Sequence, residues 1–166
     1  MGRKYLKYNP MKNLKYILLL TIVTLSLSKS VGQNYAPKDY YLVDSLDLEA
    51  LSQGDSILLD TCLRNYHAAK DDTTKINALN IIVEECWDDN VWPKYNMWVY
   101  KFVENKLNTL PKDCPPSTLK ALKTSLAGAL NNIGYIHKSQ GDIPLALEYY
   151  HKSLKIQEEI KDKKGM

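Results

Sequence analysis

His67, His137 and His151 are the three histidines of the chain. Their possible chemistry depends on what stands a helical turn away. None belongs to a His-Glu-x-x-His run or another ligand spacing that would aim two imidazoles at one cation. No Gly-x-Ser-x-Gly elbow is present, and no local Cys–His arrangement suggests a nucleophile and its base. After residue 32 the glycines are Gly54, Gly128, Gly134, Gly141 and Gly165, too scattered for a loop that cradles phosphate. Asp71-Asp72 and Asp88-Asp89 are paired acids. Both fall at predicted helix ends, where the first pair suits capping and the second a solvated turn. Cys62, Cys86 and Cys114 form no Cys-x-x-Cys. Cys62 and Cys86 read as small apolar core residues and Cys114 as a loop thiol, although one bridged pair would leave a single thiol over. Trp87, Trp92, Tyr95, Trp98, Tyr100 and Phe102 lie within 16 residues. At helical spacing such a cluster reads as core packing before it reads as a ligand stripe. These residues predict no catalytic, cofactor or metal site, and the expected class is not an enzyme.

Charge narrows the partners. Arg3, Lys4, Lys7, Lys12, Lys15 and Lys29 precede residue 33 and no acid does, which leaves 16 basic against 19 acidic side chains beyond it, a net −3. Nucleic-acid affinity rests on a basic surface, so no nucleic-acid partner is expected, and Lys161–Lys164 reads as a solvated charge run. The basic stretch leads into the apolar run Ile17–Leu27 and then Ser30-Val31-Gly32. That order is a secretory signal, with cleavage expected after Gly32. Met11 could be the start, since Met11–Gly32 forms a complete leader. The alternative is an uncleaved anchor, but eleven residues span about 16 Å against a hydrocarbon core of about 30 Å. Export to a periplasm is expected, with no membrane contact after cleavage.

The elements that follow are helices. Apolar residues recur at three and four throughout: Ile57, Leu58, Cys62 and Tyr66 from Asp55; Ile76, Leu79, Ile82 and Val83 after Asp71–Thr74; Tyr95, Val99, Phe102 and Val103 after Pro93. A long helix capped by Ser117 is predicted to reach Ser139, and another runs from Ile143 to Lys161 beyond the turn Gln140-Gly141-Asp142. No strand pattern competes. The domain is all-α. Its predicted organisation is a signal peptide over 1–32, a linker over 33–53, a helical region over 54–110, a loop over 111–116, a hairpin over 117–161 and a turn over 162–166.

The chain repeats itself without a gap at an offset of 51 residues. Leu79-Asn80-x-Ile82 falls on Leu130-Asn131-x-Ile133, Trp92-Pro93 on Ile143-Pro144, and Lys101 on Lys152. Repeated helical hairpins indicate an α-solenoid. In the second unit Leu130, Ile133, Gly134, Ala146, Tyr150 and Ser153 stand at the packing positions of a tetratricopeptide repeat, which that segment resembles. His137 replaces the usual tyrosine, and Glu158 stands where the family often has proline. Gly134 and Ala146 are expected to meet where the paired helices pack closest. Val83 and Tyr95 occupy those places in the first unit, so that hairpin is expected to open wider. Asp71–Ile76, Leu130–Asp142 and Ser153–Ile160 also resemble the exported repeat regions of Bacteroidetes-type signalling proteins.

The resemblance implies a non-catalytic protein- or peptide-binding module whose first helices line a groove. It places Asn131, Tyr135 and Lys138 in that groove, beside Gly128 and Ser139. The 51-residue offset adds Asn77, Asn80, Glu84 and Trp87, beside Asp88. The alternative is the sensory front end of a signalling protein, a histidine kinase or DNA-binding regulator, whose output module is not in this chain. The last helix carries Ile143, Leu147, Tyr150, Leu154, Ile156 and Ile160, more than one face can bury against a single partner. An exposed strip is expected there, covered either by a further repeat or by self-association.

Overall fold

A computed structural model describes residues 37–162. The leader predicted over 1–32 and the turn beyond 162 lie outside the described residues. Five helices follow a 3₁₀ turn at Lys38–Tyr41: α1 Gln53–Ala68, α2 Asp72–Glu85, α3 Trp92–Thr109, α4 Pro116–Ser139 and α5 Ile143–Asp162. There is no strand among the described residues. Each helix packs on the next in the chain, and α2 also meets α4 across α3. This is the all-α stack of hairpins that the periodicity predicts.

Local chemistry explains the starts. The Ser52 hydroxyl accepts from the Asp55 backbone N–H at 3.0 Å, so α1 opens at Gln53, two residues before the expected Asp55. Asp71 caps α2, accepting from both the Thr74 backbone N–H and its hydroxyl at 2.8 Å. α4 departs from expectation. Ser117 does not cap it; the helix begins at Pro116, and no side chain caps it. A proline in the first turn has no N–H to satisfy and a φ already set for helix. Between α4 and α5 Gly141 adopts φ +84, the left-handed geometry that ends a helix at little cost when the residue has no Cβ. Asp142 then caps α5 through the Leu145 N–H at 3.2 Å.

The core lies among α1, α2 and α3 and continues to Leu122 and Ala129 of α4. Leu63, Leu79, Ile82, Tyr95 and Val103 are fully buried. Residues 37–51, expected as a linker, are instead a strap laid on this core. Tyr40, Tyr41, Leu42, Val43, Leu46, Leu48 and Leu51 all pack against it. Three bonds hold the strap down. The Tyr95 hydroxyl donates to the Tyr41 carbonyl at 2.8 Å, His67 Nε2 lies 2.8 Å from the Tyr40 carbonyl oxygen, and Lys94 donates to the Ser45 carbonyl. The strap has no helical period because Leu42 and Ser45 both take positive φ. Among the described residues no helix is long and apolar enough to cross a membrane.

Candidate functional site

Two first helices, α2 and α4, stand side by side because α3 runs back between them. Between them lies a depression of about 530 Å3. Its α2 wall is Asn77, Asn80, Val83 and Glu84, and α3 contributes Asn96. Its α4 wall runs from Ser117 and Lys120 through Thr124, Ser125 and Gly128 to Asn132. Seven of its thirteen lining residues carry an amide or hydroxyl side chain, set among the apolar surface of Val83, Ala121 and Ala129, with Lys120 as its cation and Glu84 as its anion. At Gly128 an added Cβ would meet nothing within 4 Å. The missing side chain therefore leaves open space on that wall.

The floor is knit by side-chain bonds. Asn80 Nδ2 donates to Ser125 Oγ at 3.0 Å, joining α2 to α4. Asn96 is buried, donates to the Ala129 carbonyl at 3.1 Å, and accepts from Asn132 Nδ2 at 3.0 Å. A buried amide must be bonded on both sides or it costs stability, so these pairs set the register of α3 against α4. Asn77 makes no side-chain hydrogen bond among the described residues. Its donors and acceptor are free to meet a ligand.

The sequence-derived groove residues divide here. Asn77, Asn80, Glu84 and Gly128 line the depression. Asn131, Tyr135, Lys138 and Ser139 are exposed but continue along α4 past it. Tyr135 instead pairs with Trp92, ring centroids 6.3 Å apart. Trp87 sits after α2, 90% exposed, with its backbone N–H bonded to Asp55 at 3.3 Å. The Ser52 hydroxyl, and then this N–H, hold the Asp55 carboxyl below its usual range. The wall residues Ser117, Lys120, Thr124, Ser125 and Asn132, and the floor residue Asn96, were missed. Asn96 had a signal: it is a polar residue between the apolar Tyr95 and Val99.

The other candidates resolve as packing. Trp98 stacks on Phe102 at 4.8 Å and meets Tyr66 edge-on at 5.5 Å. His137 stacks on Tyr149 at 5.5 Å. The three cysteines are free. Cys62 and Cys86 are buried, and burial pushes the Cys86 thiol up to about 11, which makes it a poor nucleophile. No group of three or more metal-ligating side chains occurs among the described residues.

The α4–α5 hairpin holds the sharpest geometry. A Cβ at Gly134 would stand 2.8 Å from the Tyr150 ring and 3.1 Å from the Ala146 carbonyl oxygen. The helices cross there with no room for a methyl group. Leu130, Ile133 and Ala146 are buried around the crossing. Ser153, also buried, donates to the Ala127 carbonyl at 2.7 Å. Residues 127–159 match the family model described as tetratricopeptide repeat. This hairpin is therefore similar to that repeat over the segment where the small residues meet. No curated protein and no solved structure matches the chain.

Proposed function

We propose that the chain is an exported, non-catalytic module that binds a protein or peptide along the α2–α4 groove. One observation carries the reading: amide and hydroxyl side chains from two parallel first helices converge on one open depression beside a hairpin similar to a tetratricopeptide repeat. An extended peptide presents alternating N–H and C=O groups. Asparagine offers two donors and an acceptor from one side chain, so Asn77 and Asn80 can meet a backbone of any sequence. Lys120 and Glu84 add charge at separate points of the wall. Export rests on the leader pattern over 1–32, and it directs the search for partners to a periplasm.

A photo-crosslinker at Thr124, which lines the groove, tests this against one at exposed Lys101 on α3. Covalent capture of a periplasmic peptide or protein from position 124, and none from 101, is the expected result. Equal labelling from both removes the groove from the proposal. The second reading, a sensory region of a signalling protein, is favoured by the resemblance of Asp71–Ile76 and Leu130–Asp142. The genomic DNA beyond Met166 tests it: an in-frame membrane span with a kinase or DNA-binding module supports it, and a stop codon removes it.

A further inference from the structure

The groove carries two charges that nothing else in the fold satisfies. Glu84 and Lys120 both line it and are exposed, and neither side chain forms an ion pair or hydrogen bond among the described residues. The fold fixes their spacing. Asp72 at the start of α2 pairs with Lys106 near the end of α3 at 2.7 Å. Trp92 at the start of α3 meets Tyr135 near the end of α4. Both α2 and α4 therefore run antiparallel to α3 and parallel to each other. The Asn80–Ser125 bond sets them level. Glu84 lies one turn beyond that bond and Lys120 more than one turn before it. The two charges are thus nine helical rises apart along the groove, about 14 Å. Asn77 and Asn80 fall between them. Gly128 falls at the Glu84 end, where its missing side chain leaves the wall open.

We propose, resting on the groove reading above, that the groove selects an extended peptide with one basic and one acidic residue four positions apart. In an extended chain residues i and i+4 point to the same side and stand about 13 Å apart, which matches the separation of Glu84 and Lys120. A helical ligand would need its two charges about nine residues apart to span the same distance. The basic side chain meets the Glu84 carboxylate in the space left by Gly128. The acidic one meets the Lys120 ammonium. Asn77 and Asn80 take the backbone between them. A peptide with two like charges at this spacing sets one of them against its like, so the same pair of residues that attracts one class repels the other two.

Selection of a phage-displayed random peptide library on the full chain is the test. Enriched peptides are expected to carry opposite charges at i and i+4. Glu84→Lys makes both ends of the groove positive and should shift the selection to two acidic residues at that spacing. Lys120→Glu should shift it to two basic ones. Both positions are exposed, so the far-ultraviolet circular dichroism spectrum should not change. A peptide selected on the parent is expected to bind each variant about fivefold more weakly. Enriched peptides without this charge spacing, or a selection that neither variant alters, overturn the proposal. Gly128→Trp separates that failure from failure of the groove itself, since the indole fills the open wall. Peptides that lack the charge spacing but are lost with Gly128→Trp overturn the charge selection and keep the groove. Peptides that survive Gly128→Trp, or no enrichment at all, remove the groove and this proposal with it.

Discussion

The α2–α3 and α4–α5 hairpins align in sequence at an offset of 51 residues but pack differently. In both, the first helix is followed by a second with proline at its second position, Pro93 in α3 and Pro144 in α5. At its crossing α4–α5 has Gly134 and Ala146; the 51-residue offset puts Val83 and Tyr95 at the matched places of α2–α3. The small pair lets two backbones approach until a methyl group no longer fits, and that helix contact is the most extensive among the described residues. Tyr95 is fully buried, but its hydroxyl reaches out of the hairpin to the Tyr41 carbonyl in the strap. Val83 is only half-buried and forms part of the groove wall. The close crossing of α4 and α5 is sealed by their own side chains. The α2–α3 hairpin is packed from outside by the strap, α1 and α4.

Substitution at the crossing is the hardest test of this contrast. Gly134→Val places branched methyls where the Tyr150 ring and the Ala146 carbonyl already stand, and is expected to destabilise by about 3 kcal/mol. Val83→Ala at the equivalent place removes half-buried methyl groups and is expected to cost about 1 kcal/mol. Urea midpoints of the two variants give the comparison, and equal losses would break it. Next in size is Asn96→Ala. It leaves the Ala129 carbonyl and the Asn132 amide without their partner, a loss of about 2 kcal/mol, and it should loosen α3 against α4. Amide exchange would show that loosening as faster exchange around Ala129, with the α5 amides unchanged.

Smaller effects sharpen the picture. Ser153→Ala removes the clasp inside the α4–α5 hairpin, and Tyr95→Phe removes the tie from the α2–α3 hairpin to the strap. Each is expected to cost about 1 kcal/mol. Protease sensitivity should tell them apart. Tyr95→Phe should expose cleavage sites within 37–51, and Ser153→Ala should not. If both variants are cut at the same sites, the Tyr95 hydroxyl is not what holds the strap to the α2–α3 hairpin. The smallest effect is with acid. Bonds from the Thr74 N–H and hydroxyl hold the Asp71 carboxyl below its ordinary value. Its folded pKa is thus depressed, so its contribution is present above the unfolded value of about 3.9 and is lost as pH falls through the folded one. Asp71→Asn keeps a cap but titrates no longer. Its thermal midpoint is expected to fall less steeply than the parent's below about pH 4.

The helices were legible because burial on one face imposes a period of three and four. The crossing of α4 and α5 was legible because glycine and alanine stood at the matched places. Helix ends were less so. Ser117 looks like a cap, but Pro115 and Pro116 settle the start earlier. A short helical turn was legible within 33–53 and appears at Lys38–Tyr41, but the packing of the strap on the core was not, since its apolar residues follow no period and its conformation depends on left-handed turns at Leu42 and Ser45. The groove was half legible. Asn77, Asn80 and Glu84 were found on α2, but internal repetition pairs Asn80 with Asn131. In space Asn80 bonds Ser125, 45 residues away. The α4 wall therefore lies nearer the start of that helix than repetition implies.

From its residues alone the chain was committed to being all-helical, to a slightly negative charge beyond residue 32, and to one hairpin closed so tightly that a methyl group has no place in it. All three follow from composition or from neighbours a few turns apart. Tertiary structure decided where α2 meets α4, which amides form the floor, and that residues 37–51 seal one side of the core. Those outcomes depend on side chains interlocking across tens of residues. The register is set by buried hydrogen bonds that must be satisfied, and no local pattern encodes which partner will satisfy them.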